Sequence, residues 1–137
     1  MTDSATQSVS LADLAARAAE ARQWSYSPYS GYAVGAAVLA ASGKIYDGAN
    51  IENAAYPVTL CAERVAGVKA VSEGDREFVA VAVATANGGM PCGACRQFLS
   101  EFGLEAVVVA ADADGNILRQ TTVRELLPEA FGPSQLK

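Results

Sequence analysis

Two short phrases hold every cysteine of the chain: Cys61-Ala62-Glu63-Arg64 and Pro91-Cys92-Gly93-Ala94-Cys95-Arg96-Gln97. Three thiolates can hold a Zn²⁺ ion and leave its fourth position open to water, the arrangement of a catalytic rather than a structural zinc. Glu63 stands two residues after the first ligand, near enough to carry protons to and from that water. A lone C-x-x-C can also be a redox pair or half of a zinc ribbon. Here three cysteines and no histidine leave no fourth thiol or imidazole to close the site. The missing histidine also removes the commonest base and pH switch, so proton transfer falls to a carboxylate or to water at the metal.

Three thiolates outweigh the charge of Zn²⁺. Such electron-rich ligation weakens the ion as a Lewis acid, so a nearby positive group is needed. Arg64 lies three residues after Cys61 on the same helical face and is the candidate charge balance, its sulfur contacts being those of an outer-shell partner. Alternatively, Arg64 is a plain surface arginine and Glu63 a solvated helix residue.

The elements that must position these residues can be read from periodicity. Ser10 is a candidate N-cap for a helix over 11–24, with Leu11, Leu14, Ala15, Ala18 and Ala21 on one face. A loop over 26–31, broken by Pro28 and Gly31, leads to an apolar strand over 33–40. A turn at 41–44 returns the chain as a second strand over 45–49. Residues 50–60 are irregular. A helix follows over 61–71 with Val65, Val68 and Val71 inward, then a strand over 78–85 and a loop over 87–91. A third helix over 93–102 is closed by Gly103. Further strands span 106–111 and 117–119, and Thr121 or Thr122 caps a short helix over 123–127. Cys61 thus opens one helix, and Cys92 and Cys95 flank the start of another. Helix starts carry free N–H groups and partial positive charge, which favour thiolates. The order of elements predicts an α/β or α+β sandwich with a mixed sheet.

The 137 residues suit one domain, expected over 11–137 behind a flexible leader at 1–10. No apolar run is long enough to span a bilayer, and Met1–Ser10 shows no signal-peptide pattern, so no membrane partner and a cytoplasmic location are expected. The formal net charge of −5, with lysines only at 44, 69 and 137, argues against a nucleic-acid partner.

The chain carries a wider resemblance beyond the zinc phrases. Tyr26-Ser27-Pro28-Tyr29-Ser30, Val34-Gly35-Ala36-Ala37, Gly48-Ala49-Asn50-Ile51-Glu52-Asn53-Ala54, Leu126-Leu127-Pro128 and Ala130-Phe131-Gly132-Pro133 resemble the small Cys₃-zinc cytidine deaminases of pyrimidine salvage. Zinc-dependent nucleobase deaminases pair a non-ligand Glu with a following P-C-x-x-C, and Glu63 ahead of Pro91-Cys92-Gly93-Ala94-Cys95 is similar to that pattern.

The resemblance implies a three-layer αβα sandwich on a mixed, roughly five-stranded sheet. It implies one Zn²⁺ per subunit on Cys61, Cys92 and Cys95. The implied reaction is hydrolytic deamination of cytidine and 2′-deoxycytidine by zinc-activated water, with Glu63 as proton shuttle. The backbone at Ala62 would hold the base edge, and Asn50 and Glu52 would bind the ribose hydroxyls. Tyr32 stands where the family usually has Phe against the pyrimidine. Phe131 would reach a neighbouring subunit's base in a homotetramer with shared active sites. The readings left open beside this one are a deaminase of another cytosine nucleoside, such as an antibiotic, and a non-catalytic zinc-binding interaction module.

Overall fold

Unbroken runs of small apolar residues suit strands covered on both faces, and three such runs form the middle of the sheet: β1 (Gly35–Ala40), β3 (Phe78–Ala84) and β4 (Val107–Ala111). The computed structural model describes residues 9–136, so residues 1–8 of the expected leader lie outside the described part. The strand order is β2-β1-β3-β4-β5, with β2 spanning Ile45–Ala49 and β5 Ile117–Thr122. Only β3 and β4 run parallel; every other pair is antiparallel. The sheet is mixed and five-stranded, as expected.

Alternation along the strands sorts side chains onto two faces. Val38, Val81, Val83 and Val108 point to one face, under helices α2 (Ala62–Ser72) and α3 (Gly93–Gly103). Ala37, Leu39, Ala82 and Val109 point to the other, where Leu14, Ala15 and Ala18 of helix α1 (Leu11–Ala21) cover them. Three layers result, and both cysteine phrases belong to the α2–α3 layer.

Ser10 caps α1 in a capping box, its hydroxyl accepting from the Asp13 N–H at 3.0 Å. The expected helix to Trp24 instead tightens to a 3₁₀ turn over Arg22–Trp24. No apolar side chain is left there to face the sheet: Arg22 turns to the Ala33 carbonyl at 3.0 Å, and Trp24 is exposed. At the far end, β5 runs three residues beyond the expected Arg119 to Thr122, which caps α4 (Val123–Leu126) by accepting from the Glu125 N–H.

Helix α2 departs from expectation in its orientation. Its buried face is Ala62, Glu63, Ala66, Gly67 and Ala70; Val68 is 48% exposed, and Val65 and Val71 are only partly covered. Close approach to the sheet explains this. A Cβ on Gly48 of β2 would stand 2.7 Å from the Ala66 backbone N and 2.8 Å from a Val65 methyl. Only small residues fit such a contact, so the valines roll outward. Gly35 does the same for α1: a Cβ there would lie 2.0 Å from the Ala18 carbonyl oxygen. Gly48→Ala is therefore expected to push α2 off the sheet and destabilise the fold by about 1–3 kcal/mol. Urea unfolding measures the cost, and a midpoint equal to the wild type's would contradict the contact.

Among the described residues, no helix is long and apolar enough to cross a membrane.

Candidate active site

The site is assembled from two helix starts on one face of the sheet. Cys61 is the N-cap of α2 and Cys92 the N-cap of α3, both in extended backbone, and neither thiol caps its own helix. Each occupies the position where Ser or Asp usually bonds the free N–H groups, which leaves both sulfurs free to face elsewhere. Cys95, in the first turn of α3, is fully buried beneath them. The three sulfurs lie within 4.8 Å of one another, and those of Cys92 and Cys95 are 3.6 Å apart. Tetrahedral zinc–thiolate bonds of about 2.3 Å place sulfurs about 3.8 Å apart, so the trio fits a Zn²⁺ ion.

Arg64, expected as the counter-charge, lies against the Cys61 sulfur. One Nη donates to the Cys61 sulfur at 3.7 Å and to the Thr59 carbonyl at 3.3 Å, while Nε is buried with no hydrogen-bond partner. A buried cationic group with an unpaired N–H is costly beside neutral thiols and favourable beside thiolates. The Cys95 thiol, followed by Arg64, holds Cys61 down to a pKa of about 5; the same contact with Cys61, followed by burial, pushes Cys95 up. Both effects favour the thiolate form of Cys61, the form that binds a metal.

Glu63 is 4% exposed, and burial pushes its carboxyl up to about 7. A carboxyl held near neutrality can both take and return a proton. Glu63 lines a cavity of about 190 Å³ together with Cys61, Cys92, Ala62, Asn50 and Tyr32. Residues that the sequence singles out from well-separated segments thus share one chamber.

Two of the expected site residues lie outside this cavity. Glu52 opens on a second recess with Tyr29, Ser30 and Tyr56; Thr59 lines both this recess and the cavity. Its carboxylate accepts from the Ser30 hydroxyl and from the Tyr29 and Ser30 N–H groups at 2.9 and 3.1 Å. The Ser30 hydroxyl, helped by these N–H groups, holds Glu52 below the usual carboxylate range. Phe131 does not line the cavity; it is 56% exposed, and its carbonyl accepts from Gln97.

Asn50 is 8% exposed and mostly committed to the fold. Its Oδ1 accepts from the Ser25 hydroxyl and the Val34 N–H, and Nδ2 donates to the Tyr32 carbonyl at 2.9 Å.

Several lining residues carry no mark in the sequence patterns: Val34, Val83, Thr85, Gly89 and Met90. Position could have found the last three, because they follow the carboxyl end of a parallel strand, where open α/β sheets bind ligands. Arg96 is a further residue that spacing does not reveal. It donates to the Pro91 carbonyl at 2.7 Å and the Leu126 carbonyl at 3.2 Å, bracing the loop that delivers Cys92.

A mixed sheet flanked by helices, with a metal-ready trio and a buried carboxyl at two helix starts, defines a zinc-dependent hydrolase of the α/β type. The chain belongs to the cytidine deaminase family: residues 9–111 match the family model for the cytidine and deoxycytidylate deaminase zinc-binding region. It is 48% identical over 125 residues to the cytidine deaminase of Sporosarcina psychrophila, covering 90% of this chain and 92% of that one. It is 49% identical over 117 residues to that of Halalkalibacterium halodurans, covering 83% and 88%. The crystal structure of cytidine deaminase from Burkholderia pseudomallei superposes with a TM-score of 0.85 at 40% identity, over 90% of this chain and all of that one.

Proposed function

We propose that this chain deaminates cytidine and 2′-deoxycytidine hydrolytically to uridine and 2′-deoxyuridine plus ammonia, serving pyrimidine salvage in the cytoplasm. The observation that carries the reading is the buried Glu63 carboxyl beside the three-cysteine cluster in one cavity.

Cys61, Cys92 and Cys95 would hold Zn²⁺, which would supply Lewis-acid activation of the attacking water. Glu63 takes a proton from that water and delivers it to N3 of the pyrimidine, which makes C4 more electrophilic. Oxygen bonds to C4. Glu63 then takes the remaining proton from the new C4 hydroxyl and passes it to the exocyclic nitrogen, and the C4–N bond breaks to release ammonia and leave the C4 carbonyl. Burial near neutrality suits Glu63 to both transfers. Arg64 offsets the negative charge of the sulfurs, and the backbone at Ala62 holds the base edge.

The sugar is assigned to Asn50 and Glu52. After their internal hydrogen bonds, Asn50 keeps one N–H, and Glu52 keeps one lone pair on Oε2. One donor and one acceptor match a hydroxyl, which is both. Tyr32 supplies a wall for the base. Phe131, exposed and outside its own chain's cavity, is assigned to the base site of a neighbouring subunit in a homotetramer. A non-catalytic zinc module would need a fourth protein ligand, and the trio has none among the described residues.

The ultraviolet change of cytidine with zinc-loaded protein tests the reaction. Conversion abolished by chelation supports it, and no conversion by folded, metal-loaded protein overturns it. Glu52 would repel a sugar phosphate, and the formal net charge of −5 adds to that repulsion. Cytidine is therefore expected to be turned over at least about tenfold more efficiently than its 5′-monophosphate, a ratio that corresponds to about 1.4 kcal/mol. Equal kcat/KM for the two would contradict the role given to Glu52.

A further inference from the structure

Tyr32 and Asn87 come from loops 55 residues apart and meet at the rim of the cavity, the Tyr32 hydroxyl donating to Asn87 Oδ1 at 2.7 Å. The loop over 85–91 is built to make this bond. The Thr85 hydroxyl, buried at the end of β3, donates to the same Oδ1 at 3.3 Å and accepts from the Gly89 N–H at 2.8 Å. Gly88 has φ +78°, a left-handed turn that suits glycine. A Cβ on Gly89 would stand 3.0 Å from the Tyr32 hydroxyl oxygen, so a side chain there would crowd it. On the other loop, Asn50 holds the Tyr32 carbonyl and Ser30 the Tyr32 N–H at 3.0 Å. The Tyr32 ring is thus fixed at its backbone by one loop and at its hydroxyl by the other. A phenylalanine could not make the second attachment.

We propose that Asn87 is a positioning residue for the substrate base: by accepting from the Tyr32 hydroxyl it fastens the 26–34 loop to the 85–91 loop and holds the Tyr32 ring as a fixed cavity wall. The base-binding part rests on the cytidine reading above. The side-chain hydrogen bonds of Asn87 run to Tyr32 and Thr85, not to the cysteines or Glu63. Its loss therefore acts on ligand capture, through a ring free to swing, rather than on the proton transfers.

The test is a double-mutant cycle on Tyr32→Phe and Asn87→Ala, with KM and kcat for cytidine read for both singles and the double. Each single is expected to raise KM about threefold, the scale of one hydrogen bond, with the loss carried mainly by KM. The double variant is expected to be no worse than either single. An unchanged KM in Tyr32→Phe, or effects that multiply, would overturn the assignment. Hydrogen exchange of the 86–91 segment reads the fastening without substrate. Tyr32→Phe is expected to speed exchange there and to leave α1 unchanged; unaltered exchange in 86–91 overturns the fastening. Failure of the wild type to convert cytidine would instead count against the reaction, with exchange still deciding the bond.

Discussion

Alanine in place of Glu63 is expected to lower kcat on cytidine by about 10²–10⁴-fold while the protein retains its full complement of zinc. The two readouts separate a proton carrier from a ligand. The metal is assigned to three sulfurs that cluster without the Glu63 carboxyl, so deleting that carboxyl leaves the donor set intact. Alanine also removes a group whose ionised form burial disfavours, and it suits the first turn of a helix. The thermal midpoint is therefore expected to hold or rise. Glu63→Gln keeps the shape and part of the polarity but cannot exchange a proton, so it should share the kinetic loss. Metal content falling with activity in Glu63→Ala would show the residue to be a ligand. Activity near wild type would leave the reaction without its proton carrier.

Cys95→Ala is expected to abolish both zinc retention and activity. Cys95 is fully buried and lies within 3.6 Å of Cys92, so no water-exposed group can take its place. With two sulfurs left, Arg64 faces a weaker negative field, and its unpaired Nε becomes a net cost. Zinc bound at 100 times its Kd stabilises a fold by about 2.7 kcal/mol, and this contribution is lost with the ligand. Chelated wild type should show the same drop in midpoint and recover on adding Zn²⁺, whereas the variant should not recover. Full metal content in Cys95→Ala would relocate the site.

The chemistry was more legible in the sequence than the packing. Cys61 and Glu63 lie in one short phrase and Cys92 and Cys95 in another, each at a helix start, where local spacing sets the relation within each phrase. The apolar runs of β1, β3 and β4 announced covered strands in the same way. The buried face of helix α2 was not legible, because hydrophobicity ranks valine above alanine, whereas the distance between helix and sheet, set by Gly48, admits only alanine and glycine. The end of β5 was hidden because its residues are exposed or only partly covered, so no alternation marks it; only pairing with β4 defines it. Asn87 acts through a contact with a loop 55 residues away, and such a contact leaves no trace in local spacing.

The commitments of Asn50 and Glu52 bear on how this enzyme can change over generations. The residues assigned to the sugar also hold up the loop around it: Asn50 ties Ser25, Val34 and Tyr32, and Glu52 gathers Tyr29 and Ser30. A mutation that altered sugar choice at either position would unravel its own neighbourhood, so selection sees both effects together. The base wall carries a lighter double duty: the Tyr32 hydroxyl makes one tie, to Asn87, whose loss loosens a single loop contact rather than a whole neighbourhood. Drift in substrate range is thus open on the side of the base and closed on the side of the sugar.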